Sequence, residues 1–233
     1  MAAPPSPMPP ALIVSGLKRE AAIVAGPDAI SACGDGPTLR SRLDELADRP
    51  LRMVVSFGIC GGLDPTLRRG DIVLGTEVVS GGESVTTDAA LTQALERRLS
   101  ESGERVIRGQ VAAADGPVLT AKEKSALRNA TGAVAVDMES LAAGRFARAR
   151  GVPFAVLRAV SDPADRNLPP LVLAAVDPAG GVNVGPLIAG LIRSPGELRG
   201  LIAAAIDSAA AFRALRRCGR LGRLFPDLVL PHL

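Results

Sequence analysis

The stretch MVVSFGICGG, residues 53–62, decides the fold class of this chain. Its first five residues are apolar except for one serine, and three of its last five are glycines. A strand that is apolar on both faces is typical of a sheet covered by helices on both sides. We therefore predict a buried central strand over residues 53–57, followed by a glycine-rich loop over residues 58–62.

Strands of the same type recur on both sides of this stretch and alternate with helical segments. Residues 11–15 and 153–160 are further apolar runs, and residues 88–100 carry leucines at helical spacing on one face. This alternation predicts an α/β protein, a three-layer α/β/α sandwich with a mixed central sheet. Further strands are predicted at residues 72–74, 77–79, 106–112 and 133–136, and further helices from residue 18 and at residues 40–48, 122–129, 139–150 and 197–217.

One domain is the economical interpretation, because no internal repeat and no interior linker interrupt the pattern. This domain is predicted to cover residues 11–217. A proline-rich, disordered lead-in of residues 1–10 precedes it, and a basic and apolar tail of residues 218–233 follows. Residues 163–195, which are rich in glycine and proline, carry no assignment.

The composition excludes several classes of function. The 233 residues are 47% hydrophobic but only 2% aromatic, and the net charge is +3, which argues against a nucleic-acid partner that stacks bases or binds phosphates. The cysteines are Cys33, Cys60 and Cys218, and the single histidine is His232. The cysteines are odd in number and widely spaced, so we predict no disulfide framework. Because no pair has metal-ligand spacing and no histidine lies in the domain, we predict no metal and no Ser-His-Asp triad. No cofactor is predicted.

The sequence also bears on where the protein is found. The N-terminal residues lack the positively charged segment of a secretory signal peptide. No apolar stretch reaches the length of a membrane span without an interruption by charge, proline or glycine. A cytoplasmic location is therefore predicted.

Two acidic residues stand at the ends of predicted elements. Glu139 opens a helix, and Asp162 directly follows a buried strand. Sites of α/β proteins lie at such ends, so the pair suggests acid-dependent chemistry on a neutral polar substrate. Structural interpretations remain open: Glu139 would complement a helix dipole, Asp162 would form a turn before Pro163, and the glycines of residues 58–62 would make a tight turn rather than a ligand-binding loop.

Three segments of the sequence resemble one family in order and spacing. Residues 58–73, GICGGLDPTLRRGDIV, are similar to a motif of the purine nucleoside phosphorylase and 5′-methylthioadenosine nucleosidase family. Residues 136–140, VDMES, resemble its helix start, and residues 152–162, VPFAVLRAVSD, resemble its final site strand. The resemblance implies a nucleoside phosphorylase-like fold and an enzyme that cleaves the N-glycosidic bond of a nucleoside.

The resemblance also implies roles for the two carboxylates. Asp162, oriented by Ser161, would protonate the leaving adenine, since burial can hold a proton on a carboxylic acid near neutral pH. Glu139 would bind the ribose hydroxyls and stabilise the positive charge that develops on the sugar, with Met138 packed on the ring.

Further residues are expected by resemblance to line the base and the ribose. Backbone at Cys60 and Gly61 would approach the substrate, and Ile59 stands where the family's phosphorylases carry serine or threonine. Pro117 and Val118 stand where its nucleosidases carry a phenylalanine that stacks on adenine. This difference predicts a looser sandwich of the base and argues against methylthioadenosine as the preferred substrate.

The attacking group has two candidates. Family hydrolases activate water with a glutamate shortly after the first strand, and Glu20 is the candidate here. Family phosphorylases bind phosphate as a co-substrate through arginines and a hydroxyl residue, and Ser56 stands where the trimeric ones carry an arginine. Lys18 and Arg19 could supply a replacement anion site, or they could simply form a solvated basic helix turn.

The C-terminal third has an unusual composition. Residues 168–192 are apolar and interrupted by proline and glycine, and residues 212–230 mix arginine with large apolar residues. One interpretation is an interface between subunits. The sequence also resembles the hopanoid-associated phosphorylase branch of the family, which implies adenosylhopane, a lipid-linked nucleoside, as substrate, with a channel for the lipid and a tail in peripheral contact with the membrane.

Two other functions remain as alternatives. One is a soluble nucleosidase for methylthioadenosine, S-adenosylhomocysteine or futalosine. The other is a catalytically silent nucleoside-binding scaffold, which the presence of both Glu139 and Asp162 argues against. The resemblance further implies a homo-oligomer.

Overall fold

A computed structural model describes residues 8–101 and 103–220 of the chain. One mixed sheet of eight strands forms its centre. The strands are β1 (Ala11–Ser15), β2 (Ala29–Cys33), β3 (Met53–Gly62), β4 (Ile72–Ser80), β5 (Glu83–Thr86), β6 (Val106–Ala113), β7 (Ala135–Asp137) and β8 (Phe154–Asp162). The helices are α1 (Lys18–Ala21), α2 (Gly36–Asp44), α3 (Ala89–Glu101), α4 (Ala121–Thr131), α5 (Ser140–Arg150), α6 (Gly185–Arg193) and α7 (Leu198–Arg220), with 3₁₀ turns at Pro170–Ala175 and Pro195–Glu197.

The strand pairings close into a ring at the middle of the sheet. Strand β3 is parallel to β1 and β8 and antiparallel to β7. Strand β8 is antiparallel to β4, and β6 is parallel to both β4 and β7. The ends of β3, β7 and β8 are thereby brought together, and all three carry residues of the site described below.

Two apolar cores cover the two faces of the sheet, as the predicted three-layer α/β/α architecture requires. Along β1, Leu12 and Val14 belong to the core that includes helices α2 and α5, whereas Ile13 belongs to the core that includes α3 and α7. Strand β8 alternates in the same way, with Val156 in the first core and Leu157 in the second. The period of two along these strands explains why they are apolar on both faces.

Several predicted boundaries differ from the structure. Strand β3 continues through the predicted glycine-rich loop to Gly62, because the glycines are accommodated within the pairing to β7 and β8. The edge strands β2 and β5 are absent from the prediction; their alternating or polar sequences lack the continuous apolar signal of buried strands. Helix α7 runs through the predicted domain boundary at residue 217 to Arg220, and Cys218 is buried.

Parts of two predicted segments lie outside the described residues. These are residues 1–7 of the predicted lead-in and residues 221–233 of the predicted tail, which include His232. Among the described residues, no helix combines the length and the apolarity that crossing a membrane requires.

Candidate active site

A cavity of about 1070 Å³ opens where β1, β3, β7 and β8 end. Of the twelve site residues predicted from the sequence, Lys18 alone lies outside its lining. The other eleven line it: Arg19, Glu20, Ile59, Cys60, Gly61, Pro117, Val118, Met138, Glu139, Ser161 and Asp162. The structure therefore brings together residues that are up to 143 positions apart in the sequence, namely Arg19 and Asp162.

A buried arginine of β8 organises one side of the cavity. The side chain of Arg158 is 1% exposed, and its Nε lies 2.7 Å from Oδ2 of Asp137. Its Nη1 lies 3.2 Å from Oε2 of Glu139, and its Nη2 donates a hydrogen bond of 2.5 Å to Oγ of Ser56. Ser140 completes the cluster, because its Oγ donates to the Asp137 carboxylate and its N–H donates to Oδ1 of Asp137. The guanidinium is thereby fixed in one orientation.

Glu20 lies on the same side, next to this guanidinium, and is 1% exposed. Its Oε2 accepts a hydrogen bond of 2.8 Å from the N–H of Leu17, and its Oε1 accepts one of 2.9 Å from the N–H of Ile59. Burial raises the pKa of Glu20, although Arg158 and the two N–H donors oppose the shift. A buried carboxylate with a raised pKa is suited to accept a proton near neutral pH.

Two glycines leave the space that the side chains of Glu20 and Glu139 occupy. A Cβ on Gly58 would lie 2.7 Å from Nη1 of Arg158 and 2.8 Å from Cδ of Glu20. A Cβ on Gly16 would lie 2.6 Å from Oε1 of Glu139. At these positions glycine therefore permits close approach of the backbone to the buried charges, and both residues have ordinary φ values.

Glu139 occupies the N-cap position of α5, but its side chain makes no capping hydrogen bond. It faces Arg158 and the cavity, with 15% of the side chain exposed. Burial raises the pKa of Glu139 to about 7; Arg158 opposes this, and the neighbouring Asp137 and Glu20 add to it. Asp137 and Glu20 add to the effect of burial because the single positive charge of Arg158 is shared among three carboxyl groups.

Asp162 lies across the cavity at the end of β8 and is 6% exposed. A register shift between Cys60 and Gly61 pairs Gly61 with Asp162, and such irregularities redirect side chains. The Asp162 Oδ1 atom accepts a 2.5 Å hydrogen bond from Oγ of Ser161, and its Oδ2 lies 2.6 Å from Nζ of Lys124. Burial raises the pKa of Asp162, while Lys124 and Ser161 oppose the shift.

Lys18 and Arg19, the basic residues after β1, have different surroundings. The guanidinium of Arg19 stacks 3.8 Å above the ring of Phe212, at the wall of the cavity. The side chain of Lys18 is exposed and lies outside the cavity lining. The backbone N–H of Lys18 donates a 2.9 Å hydrogen bond to the carbonyl of Gly180. Arg19 therefore lines the cavity and the Lys18 side chain does not, and the anion site at these two residues stays a prediction.

The cavity extends from the carboxylates along a wall of apolar residues. This wall is formed by residues 168–209. Up to residue 195, this C-terminal region has no secondary structure predicted from the sequence. Its apolar members are Leu168, Val172, Leu173, Ala175, Val176, Val182, Val184, Leu187, Leu201, Ile202, Ala204, Ala205 and Ala209.

A short turn ties this region to the start of the fold. Val176 and Val182 form an isolated antiparallel bridge, and the carbonyl of Pro178 accepts a 3.0 Å hydrogen bond from the N–H of Asp35. Together with the bond from Lys18 to Gly180, this contact closes the turn over the β1–α1 connection.

Sequence reasoning missed four residues that shape the charges of the site. Arg158 and Asp137 had a usable signal, since each is a charged residue inside or beside an apolar strand. Ser140 follows the recognised motif directly. Lys124 had no signal, because it lies in a mainly polar helix in which no other residue is buried.

A family model described as the phosphorylase superfamily matches residues 29–177. This match covers more than half of the chain and includes the cavity's central residues. The chain belongs to the phosphorylase superfamily. The predicted family is thereby confirmed, and membership makes the chain an enzyme of the nucleoside phosphorylase and nucleosidase type.

Solved structures share the fold of this superfamily member at low sequence identity. A 5′-methylthioadenosine/S-adenosylhomocysteine nucleosidase from Helicobacter pylori, in complex with butyl-thio-DADMe-Immucillin-A, matches with a TM-score of 0.68 and 14% identity over 92% of this chain and 97% of that chain. A futalosine hydrolase of the same organism matches with a TM-score of 0.69 and 14% identity over 94% and 98%.

A third structure matches over nearly the full length of both proteins. It is an S-adenosylhomocysteine nucleosidase from Streptococcus pyogenes in complex with 5-methylthiotubericidin, with a TM-score of 0.69 and 14% identity over 98% of this chain and 100% of that chain. These likenesses confirm the predicted fold class of this superfamily member, the mixed sheet between layers of helices.

Proposed function

We propose that this enzyme hydrolyses the N-glycosidic bond of an adenosine that carries an apolar 5′ substituent, and thereby releases adenine. One observation carries the proposal. A single cavity holds a buried carboxyl group at Asp162 on one side, Glu20 and Glu139 beside Arg158 on the other, and an apolar extension toward Ile202.

The first step concerns the leaving group. Adenine leaves readily only when the base is protonated, for example at N7. The proton comes from Asp162, because burial raises the pKa of this carboxyl and so favours its protonated form relative to an exposed aspartate. The electron pair of the C1′–N9 bond then passes to the base, and a positive charge develops on the ribose ring. Ser161 holds the Asp162 carboxyl toward this position.

Glu139 and Met138 act on the sugar. Glu139 accepts hydrogen bonds from the ribose hydroxyls, and its carboxylate stabilises the charge that develops on the ring. Met138, which is 37% exposed in the cavity, packs against the sugar. Arg158 keeps the Glu139 carboxyl in place through the 3.2 Å contact.

Water completes the reaction with Glu20 as general base. The oxygen of the water bonds to C1′, and its proton passes to the Glu20 carboxylate. The products are free adenine and a ribose that carries a hydroxyl at C1′. The short hydrogen bonds from Leu17 and Ile59 prevent Glu20 from turning away from the cavity.

The surroundings of Glu20 favour water over phosphate as the attacking group. The N–H groups of Leu17 and Ile59, which could bind an anion, already donate to Glu20, and that of Lys18 donates to Gly180. Arg158 already contacts carboxylates. A phosphate beside Glu20 would therefore meet a carboxylate, with the N–H groups of Leu17, Lys18 and Ile59 already in use.

Adenine release should consequently not depend on phosphate. We expect equal initial rates of adenine release from a 5′-substituted adenosine in phosphate-free buffer and in the same buffer with phosphate at a concentration that saturates a phosphorylase run as a positive control. Adenine is measured by liquid chromatography. The sugar product should carry a free C1′ hydroxyl. Phosphate-dependent release with formation of a sugar 1-phosphate would contradict hydrolysis and restore the anion site at Lys18 and Arg19.

The apolar wall supports an extended 5′ substituent. Burying apolar surface contributes about 25 cal/mol per Å², so a long hydrocarbon group would add affinity along this wall. Adenosylhopane, which the sequence resemblance implies, has such a group. Methylthioadenosine, S-adenosylhomocysteine and futalosine remain alternative substrates. Each contains adenosine or its inosine counterpart, and their 5′ substituents would contact less of the apolar wall.

A substrate series with one matched pair of variants tests this choice. For 5′-alkylthioadenosines of increasing chain length and for adenosylhopane in detergent, we expect KM to fall with length. Ile202→Ser, in the wall, should raise KM for the longest chain by about 10-fold, as expected for about 1.4 kcal/mol of lost apolar contact, and leave methylthioadenosine unaffected. Ile206→Ser, at a residue of α7 that is 50% exposed and outside the lining, is the control. A KM independent of chain length would favour the small nucleosides.

The exposed apolar residues of α6 support a covering partner. Ile188 and Ile192 are 60% and 78% exposed. A second copy of the chain, in a homo-oligomer, or a membrane surface would remove them from water. Sedimentation with and without lipid vesicles distinguishes a second subunit from a membrane as the partner. A protein that sediments as a monomer and does not bind vesicles would exclude both. The proposed function also includes the cytoplasmic location predicted from the sequence.

A further inference from the structure

The buried lysine of α4 has no role in the reaction described so far. The side chain of Lys124 is 0% exposed, whereas the other residues of α4 are half-buried or exposed. Burying an ammonium group is costly unless hydrogen-bonded partners compensate for lost hydration. Its surroundings therefore indicate what this charge does.

Lys124 uses its donors on the segment that carries the proposed acid. Its Nζ lies 2.6 Å from Oδ2 of Asp162 and donates hydrogen bonds of 2.9 Å and 3.0 Å to the carbonyls of Pro163 and Arg166. The segment is held from a second side, because the Arg166 Nε donates a 2.9 Å bond to the buried Asp207 of α7. The Asp162 carboxyl is thus fixed between β8 and α4.

We propose that Lys124 is a positioning residue that stabilises the carboxylate formed on Asp162 when its proton passes to the base. The inference rests on the proposed function. The proposed step starts from the protonated Asp162 carboxyl; after it, the base has gained the proton and Asp162 carries a negative charge 2.6 Å from the ammonium. Lys124 keeps its own protons throughout.

This placement lowers the barrier for a physical reason. Fixed charges aimed at a position where charge develops act strongly in a site that excludes water. The attraction is greater in the product of proton transfer than before it, so it favours the transition state over the ground state. Lys124 also makes Asp162 a stronger acid, against the effect of burial and of the negatively charged Asp207.

The test removes the positive charge of Lys124 and keeps a side chain of similar length. Lys124→Met should lower kcat for adenine release by about 10- to 100-fold with KM within about threefold, a fraction of what a full general acid supplies. It should also shift the alkaline limb of the kcat–pH profile to higher pH, because the Asp162 carboxyl loses a nearby cation. Lys124→Arg should recover part of kcat. Lys122→Met, an exposed lysine of the same helix, is the control and should behave as wild type.

A double-mutant cycle distinguishes this role from a structural one. In the Asp162→Asn background, Lys124→Met should cause no further loss, whereas a structural role would multiply the two losses. Equal loss in both backgrounds, an unshifted alkaline limb, or variants that all lack the wild-type circular dichroism spectrum would overturn the proposal. If wild type releases no adenine from any nucleoside in the series, the proposed function itself fails, and that result is separate from these.

Discussion

Asp162→Asn is expected to lower kcat for adenine release by about 10³-fold, within the range that a general acid contributes. Asparagine keeps the size of the side chain and can still accept from Ser161, but it has no proton to give to the base. The exposed neighbour Asp165 supplies the control: Asp165→Asn should retain wild-type kcat. Both variants are compared by adenine release under saturating substrate.

The pH profile gives this prediction a second readout. Asp162 acts in its protonated form, and burial raises its pKa, so the active form is present below that pKa and is lost as pH rises through it. Wild type should therefore lose activity at alkaline pH, and the residual activity of Asp162→Asn should lack this limb. A kcat within threefold of wild type would contradict the assignment of Asp162 as the acid.

Glu20→Gln is expected to lower kcat by about 10³-fold, because the water then has no base to accept its proton. Glu20 acts as the carboxylate, so it contributes a loss of activity as pH falls through its raised pKa. In the variant only the acid limb of Glu139 should remain, displaced to lower pH because the charge of Glu20 no longer helps to raise the pKa of Glu139. Glu45→Gln, an exposed glutamate at the end of α2, is the control and should retain both limbs and wild-type kcat.

Folding of the Glu20 variant needs its own measurement. The Gln side chain can accept only one of the two hydrogen bonds from Leu17 and Ile59, so a buried donor is left unsatisfied at a cost of about 1–3 kcal/mol. Thermal unfolding will show whether the variant is folded at the assay temperature. A folded Glu20→Gln enzyme that regains wild-type kcat on addition of phosphate would contradict the role of Glu20 in hydrolysis.

Local sequence patterns account for most of the architecture. The apolar runs that contain Leu12 and Val156 predict buried strands because side chains of a strand alternate between two apolar cores. The leucines of α3 predict a helix with one buried face. The edge strand β5, in contrast, buries one face only in part, so its sequence lacks the signal that identifies the central strands.

For the site, the sequence alone determined the positions of Glu139 and Asp162 at element ends, and the family resemblance added Glu20 and the residues that line the base and ribose. Only the tertiary structure decided how these groups are charged and paired. Arg158 meets Ser56, and Lys124 meets Asp162, through contacts between residues 102 and 38 positions apart. The periods of strands and helices encode which face of an element is buried, but they carry no information on which distant side chain will face it. The closure of β3, β7 and β8 around the cavity sets those distances, and with them the burial that raises the pKa of Glu20, Glu139 and Asp162.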